Sequence, residues 1–181
     1  MTKAQLAVTL YMQTQFLTGF IYHPCEERLS DLLNGVGQPE SRGRFLALSD
    51  VTIEYADGKK ERLSSAYINK ATIELATGGD SSRGIGAKAG HKPYPFVEKS
   101  PLPVRLRLPA YVLIGSMHGT SGQRAWHVME EKRMFLPLTN VRIRARTNGI
   151  WWTAPFAAVN TEQILSWQEE DSVNGDAQAP L

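Results

Sequence analysis

The chain has 181 residues, 42% of them hydrophobic and 21% charged. That profile describes an ordinary soluble globular protein of one domain or two small ones. No apolar run reaches the roughly 20 residues that span a bilayer. The start, Met1-Thr-Lys-Ala-Gln-Leu, lacks a signal pattern, and the single Cys25 excludes an internal disulfide framework. A cytoplasmic location without a membrane partner is therefore expected. The net charge of +2 hides a segregation: residues 1–79 are −1, 80–103 are +2, 104–167 are +5 and the remainder is −4.

Residues 6–22 read as strand. Leu6, Val8, Leu10 and Met12 alternate with smaller or polar residues, and Gly19 interrupts the second apolar stretch. Glycine inside a strand marks a bend or bulge. Glu26 to Asn34 reads as a short helix, because Leu29, Leu32 and Leu33 form one apolar stripe and Asn34-Gly35 supplies a stop. A polar loop follows to Arg44. Phe45 to Tyr55 then makes a hairpin with Lys59 to Ile68 through a two-residue Asp57-Gly58 turn, and a closing strand spans Ala71 to Leu75.

The same order then recurs. Val104 to Leu108 and Tyr111 to Met117 are strands, with Gly115 in the place of Gly19. Gln123 to Glu130 is the second short helix. Phe135 to Arg146 and Trp151 to Val159 flank Asn148-Gly149, and Gln163 to Trp167 closes the unit. The sequence itself repeats: Phe45-Leu-Ala-Leu-Ser-Asp-Val-Thr-Ile53 returns as Phe135-Leu-Pro-Leu-Thr-Asn-Val-Arg-Ile143. Such self-similarity marks repeated structural units. Asn69 and Asn160 hold matched positions between the last two strands of each copy and are expected to turn the chain at positive φ.

The expected fold is mainly β, with two homologous small barrel-like units, each carrying a short helix, in a pseudo-two-fold arrangement. The units span 4–76 and 104–167, joined by a Gly/Ser/Pro-rich linker at 77–103 and followed by an acidic tail at 168–181.

The pattern Arg28-Leu-Ser-Asp-Leu-Leu-Asn34 followed by Phe45-Leu-Ala-Leu-Ser-Asp50-Val resembles an uncharacterised bacterial domain family, here in tandem. In the second copy the first motif decays to Arg124-Ala-Trp-His-Val-Met-Glu130. The resemblance implies no catalytic residues. The order of elements is also loosely similar to Sm-like small β-barrels, which bind RNA, although here the helix follows the first strands instead of leading them.

Catalytic and metal chemistry find little footing. Cys25 lies near His23, but the second copy has Gly119 and Ser121 in their places, so Cys25 reads as a small turn residue. His23, His91, His118 and His127 show no ligand spacing, and only His118 and His127, converging across a barrel corner, offer a metal arrangement, which is not the preferred reading. In Arg83-Gly-Ile-Gly-Ala-Lys-Ala-Gly90 the lysine is followed by alanine, so a linker is the better reading than a phosphate loop. No catalytic residue, cofactor or metal is assigned.

The best functional lead is basic and aromatic. Alternation places Arg105 and Arg107 on one strand face and Arg142, Arg144 and Arg146 on another, with apolar partners inward. If these strands are neighbours, five guanidinium groups share one surface suited to phosphate or carboxylate. The acidic tail either folds back on this stripe or serves as a solubilising end. Adjacent Trp151 and Trp152, also candidate binding residues, must point to opposite faces; the exposed one would anchor an interface or stack on bases, and packing against the other unit is the preferred reading. The expected function is a non-enzymatic cytoplasmic binding or assembly module, with a protein partner or self-association. RNA or single-stranded DNA binding through the arginine stripe is the alternative.

Overall fold

A computed structural model of the chain describes residues 4–23, 28–36, 43–78 and 99–170. The expectations for Cys25, His91, the glycine loop, most of the linker and the end of the tail lie outside these residues. The first half contributes β1 (Ala4–Tyr11), β2 (Gln15–His23), α1 (Leu29–Asn34), β3 (Phe45–Tyr55), β4 (Lys60–Asn69) and β5 (Leu75–Gly78). The second contributes β6 (Lys99–Arg107), β7 (Tyr111–Thr120), α2 (Ala125–Met129), β8 (Phe135–Ala145), β9 (Trp151–Asn160) and β10 (Ser166–Glu169). A single turn of 3-10 helix precedes β5 at Lys70–Thr72 and β10 at Thr161–Gln163. Strands thus take in both ends of the expected linker and the start of the expected tail.

The mainly β expectation holds. All ten strands form one antiparallel sheet in the order β10-β6-β7-β8-β9-β5-β1-β2-β3-β4. The sheet is not closed into a barrel, contrary to expectation. In the first half, closure would require β5 to pair with β4, but the edge of β5 not used by β1 is taken by β9. Nor does the junction have the expected two-fold character. Two-fold pairing brings like strands together, whereas here β5 meets β9, which occupies the place in its half that β4 occupies in the other. Each half has two unlike edges, and unlike edges meet.

Periodicity explains the core. Leu6, Val8 and Leu10 on β1 and Val104 and Leu106 on β6 turn inward, and each half's helix lays its stripe on the same face: Leu29, Leu32 and Leu33, or Ala125 and Val128. The cores interpenetrate at the junction. Phe135 and Ala158 belong to the first core, and Leu75 belongs to the second.

Gly19 and Gly115 mark bulges, as read from the sequence. The pairing register shifts between Thr18 and Phe20 and between Ile114 and Ser116. A Cβ at Gly19 would stand 3.0 Å from the Ser49 carbonyl oxygen, and one at Gly115 3.3 Å from that of Thr139, so close approach of the next strand is what demands glycine. The extra residue of each bulge lies on the strand facing the glycine, where Asp50 and Asn140 take positive φ of 50° and 51°. Asn69 and Asn160 do not: their φ values are −68° and −69°. They are N-caps instead, each side-chain oxygen accepting the N–H two residues on. In the hairpin turns only Gly58 and Gly149 are left-handed, so neither loop is the two-residue type that needs positive φ at both positions.

Candidate binding surface

The expected arginine stripe spans three strands. β6 and β8 are not neighbours, because β7 lies between them. Register nevertheless puts the side chains on one face in two rows. Arg105 is paired with Ile114, Ile114 with Arg142, and Arg142 with Thr153. Along the strands, Arg107, Val112, Arg144 and Trp151 form the second row. Directly paired residues share a sheet face. The two arginine pairs therefore stand two strand spacings apart, roughly 10 Å, with an apolar strip between them.

The five arginines have different surroundings. Arg105 donates Nε–H to the Glu170 carboxylate at 2.5 Å, and the Glu170 N–H donates to the Pro103 carbonyl at 2.9 Å. The first residues of the acidic tail therefore do fold back on the stripe. Arg146 donates to the carbonyls of Leu108 (3.3 Å) and Pro109 (2.8 Å), which makes it a tie across the β6–β7 turn. Arg142 and Arg144 lie over the Trp151 ring, at 5.0 and 5.3 Å from its centroid, within cation–π range. Arg107, Arg142 and Trp151 are exposed. The rows thus present a tryptophan flanked by cations.

Trp152 turns to the other side, as adjacent strand residues must. It packs on Tyr11 and Tyr111 with ring centroids 5.7 and 6.1 Å away, and Tyr11 comes from the first half. One tryptophan is thus exposed and the other joins the halves.

The junction is held by polar groups whose bridging role the sequence did not show: Asn160 reads there as a turn residue, Asn34 as part of a motif, and Glu74 is not picked out. The buried Asn160 amide donates to the carbonyls of Lys70 (3.2 Å) and Ile73 (2.9 Å), and its N–H donates to that of Glu74 (2.9 Å). The Asn34 side chain donates to the Phe135 carbonyl and accepts the Phe135 N–H, both at 2.8 Å. Buried Glu74 accepts the Ala110 N–H at 3.0 Å through one oxygen, while its other oxygen has no hydrogen-bond partner. Burial raises the Glu74 carboxyl above its ordinary range, against the pull of that hydrogen bond and of Arg146. Burial likewise pushes the neighbouring Tyr111 hydroxyl up to about 12.

Beside the Asn34 clamp, a cleft of about 610 Å³ opens between α1 and the β7–β8 surface, with Arg28, Asp31, His118, Gln123, Arg133 and Asn140 in its lining. His118 Nε2 lies 2.7 Å from Thr139 Oγ1, and burial followed by the nearby Lys99 holds the imidazole below its ordinary pKa. His127 instead uses Nδ1 to accept the Arg124 N–H at 3.1 Å at the start of α2. The two histidines serve separate local roles. Among the described residues, no three of His, Cys, Asp and Glu are grouped as a metal site, and no helix is long and apolar enough to cross a membrane.

Comparison of the chain with known protein families, with curated proteins and with solved structures finds no match.

Proposed function

We propose that the chain is a non-enzymatic assembly module of the cytoplasm that holds a protein partner on the open edges of its sheet. The observation that carries this reading is that, among the described residues, β4 and β10 end the sheet and each has one edge without a partner strand, with large apolar side chains beside it. Natural edges are blunted by charge, proline or a covering element. The stretch Ser64-Ser-Ala-Tyr-Ile68 of β4 has none of these in its sequence. Strand addition to such an edge derives affinity from main-chain hydrogen bonds and selectivity from alternate side chains. Amide hydrogen exchange on the full chain tests it, with and without a soluble extract of the source cells. Protection of β4 or β10 amides in the extract beyond that of the chain diluted alone is expected. Fast exchange of both strands under every condition, including high concentration, would remove the reading.

A second reading rests on a different observation, the exposed Trp151 with Arg142 and Arg144 over it. A base stacked on the ring and phosphates on Arg107 and Arg142 would suit single-stranded RNA or DNA. Anisotropy of a labelled single-stranded RNA should then show affinity falling steeply with salt, through counterion release, and lost in Arg142→Glu/Arg144→Glu. Binding that is absent at low salt, or indifferent to those substitutions, excludes it.

A further inference from the structure

The chain contains a worked example of how its own edges pair. At the inner junction β5 meets β9 in the register Leu75↔Val159 and Ala76↔Ala158. By the repeat, β9 corresponds to β4 and β5 to β10: Asn160 matches Asn69, and Leu75 and Ala76 match Ser166 and Trp167. The two strands with an open outer edge among the described residues are therefore the missing partners of that same junction. They do not meet within one chain, because the sheet stays open with β10 and β4 at its opposite ends.

We propose that the partner on these edges is a second copy of this chain, with β4 of one copy pairing antiparallel with β10 of the next in the register of the β9–β5 junction. The inference rests on the sheet-edge reading above and names its partner. Three exposed side chains support it, because each occupies a position that the inner junction covers. Phe135 is fully buried in the other half's core, whereas its counterpart Phe45 is 51% exposed. Ala158 is likewise fully buried there, whereas Tyr67 in its place is 77% exposed. Ser30 on α1 is buried beside the junction, whereas Trp126 at the matching place on α2 is exposed.

The hydrogen bonds transfer as well. Asn69 has the same N-cap conformation as Asn160, and its side-chain oxygen is engaged in the same way. Its amide N–H groups would meet the carbonyls of Thr161 and Ile164 of the next copy, the counterparts of Lys70 and Ile73. The outer junction is not a replica. Tyr67 and Trp167 replace the small Ala158–Ala76 pair, and aromatic cross-strand pairs stabilise antiparallel ladders. Glu130 stands in Asn34's place, so it accepts the Phe45 N–H but donates nothing to the Phe45 carbonyl. Because the contact joins two unlike edges, it is heterologous, and repetition gives either a closed ring or an open filament.

The test uses the full chain and two substitutions at exposed positions. Tyr67→Lys places an ammonium on the β4 edge, and Ser166→Lys places one on the β10 edge, where Leu75 is buried at the inner junction. Both are solvated in a free chain, Ser166→Lys at the modest cost of facing Arg107, and both are costly inside a dry junction. Light scattering should show the wild type as multiples of the monomer mass, and each variant alone as monomer with an unchanged circular-dichroism spectrum. An equimolar mixture of the variants should give a one-to-one dimer, because each retains the edge that the other lacks. A wild type that stays monomeric at high concentration, variants that assemble unaided, or a mixture that stays monomeric would overturn the proposal. If the wild type is monomeric yet a source-cell extract protects the β4 or β10 amides, self-pairing falls and the sheet-edge reading stands. If the extract gives no protection either, both fall.

Discussion

The inner junction and the two outer edges are built from corresponding strands, yet one is sealed and the others are open. At the junction the residues at the crossing are small or aliphatic: Leu75, Ala76, Ala157, Ala158 and Val159, all fully buried. At the edges the same positions carry Ser166, Trp167, Ala66, Tyr67 and Ile68. The polar groups differ in the same sense. Glu74 bridges the halves by accepting from Ala110, whereas its counterpart Leu165 is exposed. A single strand pairing is thus a permanent part of the fold at the inner junction, and on our proposal its counterpart at the outer edges is a contact between copies. The determining factor is how much apolar surface leaves the solvent and whether buried polar groups find partners.

The largest expected effect comes from exchanging matched phenylalanines. Phe135→Ala should destabilise the chain by about 4 kcal/mol, because it removes a fully buried ring and leaves a cavity. Phe45→Ala should stay within about 0.5 kcal/mol when measured at monomer concentrations. Urea unfolding of both variants checks the contrast, and equal losses would mean the two edges are not different in kind. Next come the matched asparagines. Asn160→Ala removes a cap and leaves the Lys70 and Ile73 carbonyls without that donor, a loss of about 3 kcal/mol. Asn69→Ala loses only the cap, about 1 kcal/mol.

The smallest effect depends on pH. Burial raises the Glu74 carboxyl, so the fold favours its protonated form. Its contribution is fully present below the ordinary carboxylate range and is lost as pH rises through the raised folded value. Glu74→Gln, which cannot ionise, should therefore melt higher than wild type at neutral pH, with the gap closing as pH falls to about 4, the ordinary carboxylate range. A gap that is constant with pH would show that the carboxylate is charged and satisfied at the junction. This is a melting-temperature measurement on two proteins at matched pH, so other titrations cancel.

Much of the secondary structure was legible because it follows from local pattern. Strand alternation placed Val104, Leu106, Val141 and Ile143 inside and their arginine neighbours outside, and register then kept those arginines on one face. Gly19 and Gly115 announced bulges. Asn69 and Asn160 misled, because asparagine serves both left-handed turns and helix caps, and only the backbone distinguishes them. The arginines misled in part as well. Their identity suggested a uniform basic face, but Arg105 is bonded to Glu170 and Arg146 to the β6–β7 turn, through contacts distant in sequence.

The order of strands and helices, the inward faces and the two bends could be read from local pattern, since these depend on side-chain period and on residues within a few positions of one another. Long-range packing settles the rest: the sheet stays open, unlike edges meet, Asn34, Glu74 and Asn160 bridge the halves, and β4 and β10 keep the outer edges. Those outcomes turn on competition for one edge of β5, between its own half's β4 and the other half's β9. Pairings of that kind depend on what each edge can bury and satisfy, and local sequence pattern does not encode it.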